Sequence, residues 1–241
     1  MSARVIHLQD VRFRWPGQEV DLLHIPDLVV NKGEHLFIQG PSGSGKTTLL
    51  NLLTGINLAN SGSVTMLDTP LESLSSTRRD QFRADHLGVI FQQFNLLPYL
   101  SLMENVQLPC GFSARKRNNA GDMRATAMRL LSHLSIPETL FNQSVSKLSV
   151  GQQQRTAVAR ALIGNPEIVI ADEPTSALDS ANRNRFMELL FQETEEQGST
   201  LVFVSHDQQI AEQFSHVVDL NQINQSQFNQ PQFNQMGYEL S

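Results

Sequence analysis

This 241-residue chain predicts an α/β fold with a mostly parallel sheet, an N-terminal antiparallel β layer and an inserted helical subdomain. Three observations carry that expectation. From residue 151 onward, short apolar runs alternate with segments of helical period, the pattern of a parallel sheet with ligand at the strand carboxyl ends. Residues Val5 to Arg14 instead alternate residue by residue, ahead of a glycine-rich loop. From about Gln93 to Ser146 the period is helical but broken by Pro98, Pro109 and Pro137, which marks an insert.

In chain order, Val5 to Arg14, with Val11-Arg12-Phe13, and Leu28-Val29-Val30 read as strands separated by a Pro16-Gly17 turn. Leu36-Phe37-Ile38 reads as a strand running into the loop, and Thr48 to Thr54 as the helix leaving it, with Gly55 as its C-cap glycine. Ser61 to Leu67 and Leu87 to Phe91 add short strands. In the insert, helices are expected over Ser101 to Leu108 and Asp122 to Leu134, joined by a loop from Ala114 to Gly121. The core resumes with helix Gly151 to Ile163, strand Ile168 to Ala171, helix Ala181 to Gln197, strand Thr200 to Val204 and helix Gln208 to Phe214. Asn221 to Gln235 is dominated by Asn and Gln, with Phe-Asn-Gln twice, so a flexible tail is expected. The expected organisation is one domain over 1–220, with its helical insert at about 93–150, and a tail over 221–241.

Bulk composition narrows the function. With 18 Lys plus Arg against 24 Asp plus Glu, the formal charge of −6 gives no footprint for nucleic acid. The basic run Arg115-Lys116-Arg117 is expected to be a solvated loop. No run approaches the roughly 18 apolar residues of a membrane span, and no apolar stretch follows a basic head, so a cytosolic protein is expected. Cys110, the one cysteine, cannot form an internal disulfide and reads as a small buried hydrophobe.

The octapeptide Gly40-Pro41-Ser42-Gly43-Ser44-Gly45-Lys46-Thr47 satisfies G-x-x-x-x-G-K-[ST] between a strand and a helix, which makes the core that of a P-loop NTPase. Its glycines let backbone N–H groups curl around an anion, and the helix aims its positive end at the same point. Lys46 adds a cation at the β/γ-phosphates, and the Thr47 hydroxyl a Mg²⁺ ligand. Asp172 and Glu173 end the apolar strand Ile168-Val169-Ile170-Ala171, where buried carboxylates are costly without a cation nearby. Asp172 is expected to help hold Mg²⁺, directly or through water, and Glu173 to accept a proton from the attacking water. Ser149 and Gln152 have capping-box spacing, and the same helix N-terminus is a second anion site. One loop-bound nucleotide does not need it, so two copies of the chain, each capping the other's nucleotide, is the economical arrangement.

GPSGSGKT, LSVGQQQR, VIADEPTSALD and VSHD, in that order and spacing, resemble the ATP-binding cassette ATPases from Val5 to about Leu220. The resemblance implies ATP and Mg²⁺ as cofactors and further roles. Gln92 is the Q-loop glutamine that touches Mg²⁺ and relays nucleotide state to the helical insert; Ser149, Gly151 and Gln152 are the signature that contacts the γ-phosphate of the opposite subunit. Ser176-Ala177-Leu178-Asp179 is the D-loop, His206 the switch histidine on the γ-phosphate, and Trp15 the aromatic that stacks on adenine. Thr48 joins the loop residues in contact with nucleotide. Val150 stands where the family usually has glycine; a β-branched residue excludes positive φ and crowds an approaching backbone, so retuned rather than lost activity is expected.

The stretch Phe91 to Val106 looks like the branch of lipoprotein-release, macrolide-export and cell-division ATPases. That resemblance implies an ATP-hydrolysing homodimer driving a separate membrane permease by dimer closure, peripheral on the cytoplasmic face of the inner membrane, with no nucleic acid partner. A groove by the insert would receive a cytoplasmic helix of the permease, with Phe94, Leu96, Leu97 and Tyr99 either lining it or packed internally. The alternative is a soluble cassette ATPase without a permease. Repair members carry long coiled coils and translation factors two cassettes, neither seen here, which leaves iron–sulfur assembly as the nearest alternative of that class.

Overall fold

The computed structural model describes residues 3–176 and 178–226. They form two compact units, one of residues up to 80 and from 204 on, the other of residues 81–203. In the first, β1 (Arg4–Phe13) and β2 (Leu23–Asn31) pair antiparallel, with Phe13 opposite Leu23. The turn between them falls at Pro16–Gly17, where the Gln18 N–H donates to the Trp15 carbonyl at 3.1 Å. β3 (Leu36–Gln39) enters the glycine-rich loop and α1 (Lys46–Leu53) leaves it. β4 (Ser61–Met66) and β5 (Thr69–Pro70) complete an antiparallel layer in the order β2-β1-β4-β5, and α2 (Ser76–His86) follows.

β1 is continuous, but its alternation changes phase. Ile6 and Leu8 are buried, then Val11 and Phe13, because Asp10 takes φ 46° and the register against β4 slips between Gln9 and Arg12. One extra residue in a strand swaps which parity faces the core. Gly62 lies opposite at φ 81°, where an added Cβ would run into the Asp10 carbonyl, so the bulge requires glycine there.

In the second unit, β6 (Leu87–Ile90) precedes three helices of the insert. α3 (Leu102–Phe112) starts with a complete capping box between Ser101 and Glu104, and runs through Pro109 where a break was expected. Pro109 forgoes one backbone donor, while buried Leu102, Val106 and Cys110 hold the helix on either side. α4 (Ala114–Ala120) replaces the expected loop, with Ser113 accepting the Lys116 N–H at 2.9 Å as its cap. Of its basic run, Arg115 and Arg117 are exposed as expected, whereas Lys116 is buried. Lys116 is 3% exposed and donates to the Leu87 carbonyl at 2.6 Å, Arg115 pairs with Glu167, and Arg117 Nε donates to the Cys110 carbonyl at 3.0 Å. Cys110 is fully buried, and burial pushes its thiol up.

α5 (Met123–His133) is capped by Asp122, which accepts from the Arg124 and Ala125 N–H groups. α6 (Val150–Leu162), β7 (Ile168–Asp172), α7 (Ser180–Gln197) and β8 (Thr200–Val204) follow the expected alternation. β6, β7 and β8 lie in that order, β6 parallel to β7 with Leu87 opposite Ile168. Residues 168–171 and 201–204 are almost fully buried, as strands covered on both faces must be.

The chain then rejoins the first unit through α8 (Gln208–Ala211), shorter than the helix expected to reach Phe214. β9 (His216–Asp219), which sequence periodicity did not disclose, runs parallel to β3 with Leu36 opposite His216. α9 (Leu220–Ile223) crosses the expected 220/221 boundary, and Asn224 and Ser226 beyond it are buried. Residues 221–226 are therefore part of the packed first unit, because their amides and hydroxyls find backbone partners that composition could not disclose. Phe228 and Phe233 lie outside the described residues.

Candidate nucleotide site

In the first unit, the loop from Gly40 to Gly45 curls at the carboxyl end of β3. Gly43 and Gly45 hold φ 81° and 97°, a region in which L side chains are strained, and Gly45 is the N-cap of α1. Leu49 is the first residue of the helix to bond back, donating to the Gly45 carbonyl at 2.8 Å. The N–H groups of Lys46, Thr47 and Thr48 thus point out of the helix start with its positive dipole end. Lys46 Nζ donates to the Gly40 and Pro41 carbonyls at 2.8 and 2.9 Å, which folds the ammonium back over the loop. Ser44 Oγ is buried without a hydrogen-bond partner, an orphaned donor that a phosphate oxygen would satisfy. Pro41, Ser42, Gly43 and Thr47 are exposed. Thr48 is 7% exposed, so its side chain is packed inside.

Two more predicted residues belong to this unit. Trp15 lies just beyond β1, 40% exposed, in a T-shaped pair with Phe13 at a centroid distance of 5.0 Å and an interplanar angle of 87°. Half the indole is thus fixed by packing and half is available for stacking. His206 follows β8 and is exposed. The Ser205 N–H beside it donates to the Ile38 carbonyl at 3.2 Å, and Gln208 Nε2 to Gln39 Oε1 at 3.2 Å, so the histidine is held at the strand end from which the loop springs.

The second unit carries the carboxylates. Asp172 is the last residue of β7, partly buried, and Glu173 follows at φ 42°. That left-handed conformation is strained for a non-glycine residue, by about 1–2 kcal/mol. Gln154, 1% exposed in mid-α6, donates Nε2 to the Pro174 carbonyl at 2.8 Å and pins the turn. Gln92 is exposed on a turn after β6, and Phe94 and Asn95, beyond Gln93, also have positive φ, 59° and 48°. Arg160, buried in the last turns of α6, donates Nη2 to the Phe94 carbonyl at 2.5 Å and Nη1 to the Asn95 carbonyl at 2.6 Å. Burial pushes its guanidinium down from its ordinary value. Asn105, fully buried, organises the segment from Leu97 to Ser101, accepting the Leu97 N–H at 2.8 Å and donating to the Leu97 and Ser101 carbonyls. Sequence reasoning missed Gln154, Arg160 and Asn105, each a polar residue at a buried helix position.

Ser149 caps α6 through the predicted box: its Oγ accepts the Gln152 N–H at 3.3 Å, and Gln152 Oε1 accepts the Ser149 N–H at 3.0 Å. Val150 is the first helical residue and 51% exposed, so no positive φ is required there and the backbone part of the argument against valine falls away. An open groove of about 330 Å³ runs along this helix end, lined by Ser149, Val150, Gly151, Arg155, Leu178 and Asp179. Asp179 itself caps α7 by accepting the Asn182 N–H at 2.9 Å. Ala177 of the predicted D-loop lies outside the described residues.

The Thr47 hydroxyl, the Gln92 amide and the Asp172 carboxylate are all hard oxygen donors, the set that suits Mg²⁺. Within the first unit, the orphaned Ser44 hydroxyl and the N–H groups at the start of α1 fit a phosphate group.

The profile of the family described as ABC transporter matches residues 23–176. This chain belongs to that family, as an ATP-binding cassette. It is 41% identical over 185 residues to the ABC transporter ATP-binding protein MJ0796 of Methanocaldococcus jannaschii, covering 77% of the cassette and 79% of the relative. It is 39% identical over 193 residues to YbbA of Escherichia coli, an ABC transporter ATP-binding protein, covering 80% and 83%. The macrolide export ATP-binding/permease protein MacB 2 of Aeromonas hydrophila is 36% identical over 222 residues, which span 91% of the cassette but 34% of that protein. A solved dimeric, post-hydrolysis structure of MJ0796 bound to ADP and Pi superposes with a TM-score of 0.78 at 36% identity, over 89% of the cassette and 93% of that chain. The cassette is an ATPase, and the fold is the one its sequence predicts.

Proposed function

We propose that the cassette is the ATP-driven subunit of a membrane transporter, acting as a homodimer that closes on ATP and reopens after hydrolysis. The observation that carries this reading is the exposed start of α6. Its cap is complete, its N-terminal dipole end faces an open groove, and no Cβ contact lies within 4 Å of Gly151. An anion-ready helix end with space in front of it suits the nucleotide of a second copy. The dimeric form in which the MJ0796 structure was solved supports the same arrangement.

In this reading, Lys46 and the loop N–H groups hold the phosphates and Trp15 the base. Thr47, Gln92 and Asp172 would hold Mg²⁺, which neutralises charge on the phosphates when bound. Glu173 takes the proton of the attacking water, His206 donates to the γ-phosphate, and the partner's copies of Ser149, Gly151 and Gln152 complete the site. ATP favours the closed state because only that state makes all of these contacts.

A separate permease is the proposed second partner. MacB 2 joins ATP-binding and permease functions in one protein, of which the cassette spans about a third. No helix among the described residues is long and apolar enough to cross a membrane, so attachment to the bilayer's cytoplasmic face would run through that permease. Around the insert, Phe94 is buried, whereas Tyr99 is 77% exposed, which supports a role for Tyr99 in the groove proposed for the permease helix. The test is Glu173→Gln, which removes the base and keeps the shape: ATP binding stays intact and light scattering shows a trapped dimer. A variant that remains monomeric in ATP while hydrolysing at the normal rate refutes both the base and the composite site.

A further inference from the structure

We infer that residues 220–226 are a strap that positions the nucleotide loop, with Asn224 as its key positioning residue. The loop rests on three leucines. A Cβ added to Gly45 would stand 2.8 Å from Leu23 Cδ2 and 3.8 Å from Leu22 Cγ, and one added to Gly40 would stand 3.5 Å from Leu220 Cβ. The backbone of that floor is held by the strap. The Asn224 Oδ1 accepts the His24 N–H at 2.8 Å, and its Nδ2 donates to the Leu22 carbonyl at 3.0 Å. The Gln225 N–H donates to the His24 carbonyl at 2.8 Å, and Ser226 Oγ to the Leu22 carbonyl at 3.1 Å. Ser226 N–H closes the arrangement on Asn224 Oδ1 at 3.1 Å.

These bonds form in a dry place, since Asn224 and Ser226 are 5% and 3% exposed and Leu23 and Leu220 are fully buried. In such surroundings an unmade hydrogen bond is expensive, so the floor has one preferred position. The same floor reaches Trp15. The Leu22 N–H donates to the Phe13 carbonyl at 2.8 Å, and Phe13 makes a T-shaped contact with the indole. One short segment, more than 170 residues downstream of the loop, therefore sets the height of the phosphate cradle and the seat of the aromatic together. Asn224 touches no substrate; it acts through Leu22, Leu23 and Gly45.

The experiment compares Asn224→Ala, Asn224→Asp and Ser226→Ala in the full chain, reading the Kd of a fluorescent ATP analogue, KM and kcat for ATP, and thermal unfolding. Asn224→Ala is expected to raise Kd and KM by about three- to tenfold with kcat within about twofold, because a displaced floor weakens binding and leaves the carboxylates untouched. Asn224→Asp keeps the acceptor for His24 and Ser226 and loses the donor, so it recovers part of the affinity. An unchanged Kd in a folded Asn224→Ala overturns the inference, and so does a loss of kcat and folded fraction in proportion, which a merely structural role gives. If Asn224→Ala fails to fold, Ser226→Ala carries the test: a Kd raised about twofold supports the strap and an unchanged one overturns it.

Discussion

Replacing Arg160 by Lys tests how the loop after Gln92 is held. Phe94 and Asn95 both sit at positive φ, a cost of about 1–2 kcal/mol for Phe94 and less for Asn95, since asparagine tolerates that region. What offsets it is the Arg160 fork, one N–H group to each carbonyl at 2.5 and 2.6 Å. A charged hydrogen bond is worth about 1.5–3 kcal/mol, so the pair outweighs the strain of the two residues. Lysine carries its charge at a point and reaches one carbonyl where arginine spans two. The expected loss is one charged bond, about 2 kcal/mol, or roughly 4–8 °C in Tm for a chain of this size.

The functional consequence comes from position. Gln92 is two residues before Phe94, so a loosened loop leaves it in place for a smaller fraction of the time. At about 2 kcal/mol that fraction falls by up to roughly thirtyfold, and kcat with it. The residues of the phosphate loop are untouched, so nucleotide affinity should change by less than about twofold. Differential scanning calorimetry and steady-state ATPase assays on the two proteins read both effects. A variant with wild-type Tm and kcat refutes the clamp, and one that loses nucleotide affinity with kcat intact refutes the assignment of Arg160 to the loop after Gln92.

Lys116 gives a pH dependence of known sign. Burial pushes its ammonium down to about 8 from an ordinary value near 10.5, so between those values the unfolded chain holds a proton that the folded chain has released, and stability rises with pH. Relative to Lys116→Met, the wild-type cassette should gain on the order of 1 kcal/mol between pH 7 and 9 in urea unfolding; a flat difference across that window refutes the burial of the charge. Val150→Gly clears a branched side chain from the approach to Ser149 and Gly151. Combined with Glu173→Gln, it should lower the ATP concentration at half-maximal dimerisation by about fivefold, roughly the 1 kcal/mol of a relieved steric contact; an unchanged midpoint places Val150 outside the closing face.

Legibility in the sequence tracks locality. β8 was readable to the residue, and α6 to within one residue at each end, because their apolar periods and the Ser149–Gln152 box are local signals. The phosphate loop was readable because its glycines and lysine act within eight residues. α2 was not, since none of its residues is buried and no apolar stripe marks it. α4 was not, because the reason for its shape is distant: Lys116 is drawn in by the Leu87 carbonyl and Arg115 by Glu167. The strained residues failed for the same reason. Nothing near Glu173, Phe94 or Asn95 announces a positive φ, and the residues that hold these turns lie on α6, far along the chain.

That helix unites the unforeseen residues. At 13 residues α6 is about 20 Å long, and along it three parts of the second unit are attached at different heights. Its first turn presents Ser149 and Val150, its middle holds the turn after Glu173 through Gln154, and its end holds the loop after Gln92 through Arg160. Each attachment is a hydrogen bond made by a buried or capping group, so none slips cheaply. A displacement of α6 as a rigid rod therefore moves Ser149, the turn after Glu173 and the loop after Gln92 together. In the proposed closed dimer, the event that contacts the first turn is the arrival of the partner's nucleotide. Catalytic readiness at Glu173 and the state of the loop after Gln92 then report that arrival through the helix itself, without a further relay.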